Sequence, residues 1–316
     1  MAQRAAAAQP AESAASQDAQ SLAEVLVTAA KLPRETLKRI ASQFVKSHAA
    51  VNPVIHQIGR WSTALCPRVT GLKPAASAFV MKRVTGVARS IGAPASQVGK
   101  GCPVNLEIVF TAEPQQLLNH IAKAYPSLLG SSRTPGDAIA RRAVQSWYTT
   151  GTKAPDGWSP PIGDEAAMAV LQMGVDMSTP PGGIARDGAR VDPAYGEGFA
   201  GFGRPGSYFT QGLSSEFLQV LVIVDSGKIA QDSLSSVADY VAMLALTRVN
   251  LLDGCSELPS ILDLLSSGCG QRQKPAGLTD TDTAYLKALY ASDLEKRLNL
   301  EQGDIRDRMV TAIAGR

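Results

Sequence analysis

An α+β fold with helices and strands intermixed follows from three features of the sequence. Several stretches repeat apolar residues at helical spacing, four short runs read as strands, and one long Gly/Pro-rich stretch interrupts them. The 316 residues are 45% hydrophobic, enough to bury a large core. The expected organisation is a flexible arm over residues 1–20 and one domain over 21–316, with residues 152–208 inserted as a surface loop.

The elements are read in chain order. Residues 24–30, EVLVTAA, suit a short strand. Pro33 then opens an amphipathic helix with Leu37, Ile40, Phe44 and Val45 on one face. GRWSTALCPRVTGL is strand-like but broken by turn residues. In the next helix Phe79, Val80, Val84, Val87 and Ile91 recur at helical spacing until Gly92. NLEIVFTAE sets Leu106, Ile108 and Phe110 against Asn105, Glu107 and Thr111, the alternation of a half-buried strand. Pro114 starts another helix, and ARRAVQSWYTTGT reads as the following strand. Within 152–208, prolines and glycines surround one helix-like patch, DEAAMAVLQMG; GEGFAGFGRPG there lacks the strand-turn-helix setting of a phosphate loop. SEFLQVLVIVD is a strand, and the apolar helix after it is capped by Asp232 or Ser233. LPSILDLL forms a short helical turn, and Thr279 with Asp282 makes a capping signature ahead of Tyr285, Leu286, Leu289 and Tyr290.

Charge narrows the partners. The 31 basic and 28 acidic residues are interspersed and leave a net charge of +3, without the basic tract that tracks phosphates, so nucleic acid is not an expected partner. No apolar run reaches the roughly 20 residues that span a bilayer. The alanine-rich start resembles sequence just after signal cleavage, so a periplasmic or secreted protein whose signal peptide has been removed is expected. Four cysteines fit two disulfides in an oxidising compartment: Cys66 and Cys102 have proline-flanked settings, and Cys255 and Cys269 bracket one loop. Connectivity stays open at this level, as does the alternative of four buried thiols. No CxxC pair occurs, and the only histidines, His48, His56 and His120, are far apart, so no metal is expected.

The C-terminal third carries a further pattern. Pro259-Ser260-Ile261-Leu262 is followed by Leu278-Thr279-Asp280-Thr281-Asp282 and then Tyr285-Leu286-Lys287-Ala288-Leu289-Tyr290. This order resembles secreted zinc peptidases of the metzincin type, the bacterial matrixin-like ones in particular. In those a strand leads to a helix bearing H-E-x-x-H-x-x-G-x-x-H, then a turn, then L-T-x-x-D and L-x-x-L-Y. The resemblance extends over about residues 52–290 and implies a zincin-like twisted sheet with packed helices, in which NLEIVFT lines the peptide cleft. It places Ala238 at the first histidine, Asp239 at the glutamate, Ala242 at the second histidine, Ala245 at the glycine and Arg248 at the third ligand. Every metal ligand is missing. The sequence is similar to secreted bacterial proteins that keep the frame with an incomplete zinc motif.

Alanine methyls donate nothing to zinc, Arg248 would repel a dication, and no histidine follows residue 120. The expectation is an exported, non-catalytic pseudo-metallopeptidase without cofactor that holds a peptide or an envelope protein. One alternative is a hydrolase with a non-zinc site, drawing on Ser207, Ser214 or Ser260 and on His56 beside Arg60 and Trp61; no G-x-S-x-G elbow accompanies them. Another is a structural envelope protein that docks through Trp158, Tyr195, Phe199, Phe202, Tyr208 and Phe209, unless these pack within their own loop.

Overall fold

The computed structural model describes residues 32–52, 55–96, 101–129, 138–153, 212–250, 255, 257–267, 269 and 274–315. The expected arm over 1–20, the expected strand at 24–30 and the expected insertion from residue 154 onward, with its helix-like patch, Ser207 and all six of its aromatic candidates, lie outside them, whereas residues 152 and 153, assigned to the insertion, end a strand instead.

Four strands form one mixed sheet in the order β1-β2-β4-β3: β1 (Pro67–Thr70), β2 (Leu106–Thr111), β3 (Val144–Lys153) and β4 (Ser214–Asp225). β1, β2 and β4 run parallel, and β3 lies antiparallel along β4, with a register shift at Thr149/Thr150. The parallel crossover from β1 to β2 is made by α2 (Pro74–Ser90), consistent with the length such connections need. β4 outruns β2: residues from Val220 onward pair with β2, while Glu216 forms a parallel bridge to Arg60.

The two faces of the sheet are buried by different helices. Leu106, Ile108, Phe110, Val144, Tyr148, Val220, Val222 and Val224 belong to the main core with α2 and α4 (Leu234–Leu246). Trp147, Leu221 and Ile223 join Leu118 and Ile121 of α3 (Pro114–Ala124) and Leu129 in a second cluster. β4 supplies both, which explains why its sequence is nearly continuously apolar while β2 alternates. Three further helices, α1 (Arg34–His48), α5 (Asp280–Ala291) and α6 (Leu298–Ala314), pack with one another and complete the main core. The α+β class is therefore as expected, and no described helix is long and apolar enough to cross a membrane.

Two details depart from the sequence reading. Phe79, assigned to the buried stripe of α2, is 43% exposed, whereas Val80, Val84 and Val87 are buried. β2 has both edges paired over residues 106–109, to β1 and to β4, and pairs with β4 alone at 110–111, so residues 106–109 offer a peptide no free edge.

The turn from β1 into α2 depends on Gly71. Its φ is +85°, and a Cβ there would lie 1.8 Å from the Phe110 carbonyl oxygen at the end of β2. Gly71→Ala therefore combines a left-handed backbone with a clash against main chain. We expect a loss on the order of 2–3 kcal/mol, measured as a lower urea midpoint at unchanged m-value.

Candidate functional site

α4 follows β4 and is the most enclosed of the described helices: every residue from Ser236 to Leu246 is buried. Ser233 caps it by accepting from the Ser236 amide, which resolves the choice between Asp232 and Ser233. A helix apolar on all sides requires burial all round. Alanines at 238, 242 and 245 leave room for close neighbours.

Three side chains close the buried C-terminal end of this helix. The last carbonyls of a helix have no intrahelical donor, and here they cannot reach water. Tyr148 Oη donates to the Leu244 carbonyl at 2.6 Å, Trp61 Nε1 to Ala245 at 2.7 Å, and Tyr290 Oη to Leu246 at 2.9 Å. β3, the segment after Arg60 and α5 thus meet on one helix terminus. Burial raises the phenols of Tyr148 and Tyr290 far above their ordinary range, so both remain donors.

The positions that the metzincin resemblance sets against a zinc motif lie in this enclosed setting. Ala238 and Ala242 are fully buried methyls. Asp239 is gripped by Arg83 of α2, Nε to Oδ1 at 2.5 Å and Nη2 to Oδ2 at 2.7 Å, and its Oδ2 also accepts from the Leu278 amide at 2.9 Å. A Cβ on Gly277 would approach that oxygen to 2.7 Å, so the 276–278 segment passes tightly over the carboxylate. Asp239 is a structural anchor with its lone pairs committed, not a base facing a substrate. Arg248 stands beyond the helix, which ends at Leu246, and its guanidinium lies 5.9 Å from the centroid of the Tyr148 ring.

Asp239→Asn keeps the acceptor for Leu278 but loses the charge that pairs with Arg83. Because Arg83 is 45% exposed and returns to water, the expected cost is only about 1–2 kcal/mol. A double-mutant cycle with Arg83→Ala measures it; strictly additive losses would show that the pair contributes nothing.

A second polar cluster joins residues that the sequence left apart. His48, at the end of α1, stacks on Phe44 with ring centroids 3.6 Å apart. Its Nδ1 is 2.9 Å from the Phe44 carbonyl oxygen and its Nε2 is 3.2 Å from Ser260 Oγ. Ser260 Oγ is in turn 2.7 Å from Asp282 Oδ1, while Asp282 Oδ2 accepts from the amides of Ile261 and Thr279 at 2.7 and 2.9 Å. Tyr285 Oη and Thr247 Oγ1 both donate to the His48 carbonyl.

Ser, His and Asp are the residues of a hydrolase triad, but this arrangement differs from one. The carboxylate holds the serine rather than the histidine, Nδ1 faces the Phe44 carbonyl and the Ser47 hydroxyl instead of a carboxylate, and all three side chains are buried. Burial lowers the imidazole to about 4, too low for a general base at neutral pH. The serine partner is therefore His48. His56 lies in the 52–57 turn with a φ of +51° and is exposed, and Ser214 donates to the Lys153 carbonyl.

The cysteines pair as Cys66–Cys102 and Cys255–Cys269, with Cα separations of 6.2 and 5.3 Å, which rules out free thiols. The second bridge closes the loop that carries the 3-10 turn Ile261–Leu265, and Ser260 caps that turn together with Asp263. Among the described residues only Cys255, Asp263 and Cys269 gather three side chains of metal-binding type, and the disulfide occupies both sulfurs. Comparison with known proteins yields no matching family model, no matching curated protein and no matching solved structure.

Proposed function

We propose that the protein is an exported, non-catalytic binding protein built on a metallopeptidase-like frame, whose ligand is a peptide or an envelope protein. The observation that carries this reading is the state of α4: two buried methyls and an ion-paired carboxylate stand where zinc catalysis requires two imidazoles and a free base. The chain order supports the frame: an antiparallel strand is followed by a parallel strand, a buried helix, a short turn and a capped helix. The two disulfides support a periplasmic or secreted location.

Metal analysis of protein purified from zinc-supplemented medium, run beside a peptide-library cleavage assay, tests the non-catalytic half. We expect zinc well below one equivalent and no cleavage; one tightly bound zinc per chain overturns the reading. Selection of displayed peptides against the oxidised protein tests the binding half. Saturable binding by a selected sequence is expected, and failure of every selected peptide to bind removes peptides from the proposal. Fluorophosphonate labelling addresses the serine alternative: the buried Ser260 should not react, and a labelled Ser260 would restore a hydrolase.

A further inference from the structure

We propose that the dithiol form of the Cys255–Cys269 loop is a metal site, in which two thiolates and the Asp263 carboxylate hold one thiophilic divalent cation of the zinc type. Cys255 Sγ, Cys269 Sγ and a carboxylate oxygen of Asp263 all lie within 4.8 Å of one another. In tetrahedral zinc, with Zn–S about 2.3 Å and Zn–O about 2.1 Å, neighbouring donor atoms stand roughly 3.5–3.8 Å apart. The two Cα atoms are already 5.3 Å apart. Once the sulfurs are no longer bonded to each other, side-chain rotation brings the three donors to that spacing.

The dithiol exists in every newly made chain before the bond closes, and a dithiol reductant restores it. Two electrons and two protons then convert the disulfide to two thiols while the thiols of the reductant become its own disulfide. The cation displaces the two thiol protons, which leave to solvent.

Charge and placement favour the ion. Two thiolates beside a carboxylate set three negative charges together, and a dication relieves their repulsion. Thiolate ligands select zinc over magnesium or calcium. Asp263 is buried, and the Ser260 amide donates to its Oδ2 at 3.4 Å within the capping box, so the carboxylate is oriented from inside the fold. Cys255 is exposed and Cys269 half-buried, so the ion reaches the sulfurs from solvent while Asp263 backs it from the protein side. Glu257, two residues from Cys255, is engaged by both terminal nitrogens of Arg39. The other cysteine pair has different neighbours: Cys66 Sγ lies 3.3 Å from the Cys102 carbonyl oxygen, and Cys102 Sγ 3.4 Å from the Ser96 hydroxyl.

The ion ties residues 255 and 269 as the disulfide does and adds Asp263 to the tie. The loop that seats Ile261, Leu262 and Leu264 in the main core therefore stays closed in either oxidation state. Zinc retained after the disulfide has closed would lie elsewhere.

The test uses the full chain, reduced with a phosphine and titrated with zinc chloride. One zinc per reduced chain is expected, well below one per oxidised chain, with a higher Tm for the reduced chain when zinc is present. Alkylation followed by peptide mapping locates the ion: zinc should slow modification of Cys255 and Cys269 and leave Cys66 and Cys102 unchanged. No uptake, or zinc that protects all four cysteines alike, overturns the proposal. Asp263→Asn keeps an acceptor for the Ser260 amide but loses the charge. It should weaken zinc binding about tenfold or more, the scale seen even for groups that only orient a ligand. A chain that binds through its sulfurs alone, as an unfolded one would, holds zinc equally tightly in this variant, and that result also overturns the site.

Discussion

Arg60→Met should lower the stability of the protein by about 3–5 kcal/mol, the largest loss expected from any single charged side chain in the described structure. Arg60 lies between the segment that bridges to Glu216 of β4 and the end of α5, almost wholly buried. Its guanidinium bonds the carbonyls of Leu289 and Ser292 and the Ser292 hydroxyl, and it forms an ion pair with Glu301 of α6, itself 1% exposed. Burial lowers Arg60 to about 10, which leaves it charged at neutral pH. Removing it takes one donor from the Ser292 carbonyl and leaves one buried carboxylate without its cation, while the Leu289 carbonyl keeps the Ser292 amide and hydroxyl as donors.

A carboxylate in that position takes up a proton. Keeping it neutral at pH 7 costs roughly 3–4 kcal/mol at 1.36 kcal/mol per unit of pH above its ordinary pKa, which agrees with the expected loss. The sign follows: in the variant the carboxyl is raised relative to the unfolded chain, so the deficit should shrink as pH falls from 7 toward 5. The double variant Arg60→Met with Glu301→Leu should recover much of the loss, because an apolar pair has no charge to desolvate. Urea titrations at pH 5 and 7 check both statements. A deficit independent of pH would mean that the carbonyl bonds, not the stranded charge, dominate.

The ease of reading each part of this fold depended on whether its signal is local. Helix α5 was legible because Thr279 and Asp282 form a capping box within four residues, and β2 because its alternation reflects one buried and one half-buried face. α6 was not legible: Ile305, Met309, Val310 and Ile313 are its apolar contacts, but charges separate them, and Glu301 is buried only because Arg60 lies 241 residues away in sequence. Phe79 satisfied the helical spacing of α2 and still faces outward, since periodicity marks a stripe but not its edge. The His48, Ser260 and Asp282 chain was hidden for a similar reason. Ser260 and Asp282 read as caps, and nothing in the sequence indicates that the end of α1, 212 residues earlier, supplies the imidazole.

Placing a histidine on α4 should break the protein before it binds zinc. Ala242 is completely buried on a helix enclosed on all sides, so Ala242→His must fit an imidazole into closely packed surroundings. Overpacking alone costs roughly 1–3 kcal/mol, and a buried ring nitrogen without a partner adds a further 1–3. We therefore expect Ala242→His to lose about 3–5 kcal/mol, a large part of the stability of an ordinary domain. Ala238→His should behave similarly, and the triple variant with Arg248→His should not bind zinc in folded form. A protein that had merely exchanged its ligands above an open cleft would respond oppositely, tolerating the histidines and gaining one zinc per chain. Thermal denaturation with and without zinc distinguishes the two: a His variant that melts with the wild type and is stabilised by zinc would show that space for the ion remains beside α4. A variant that melts early regardless of zinc would show that the packing around α4 leaves no space for the ion.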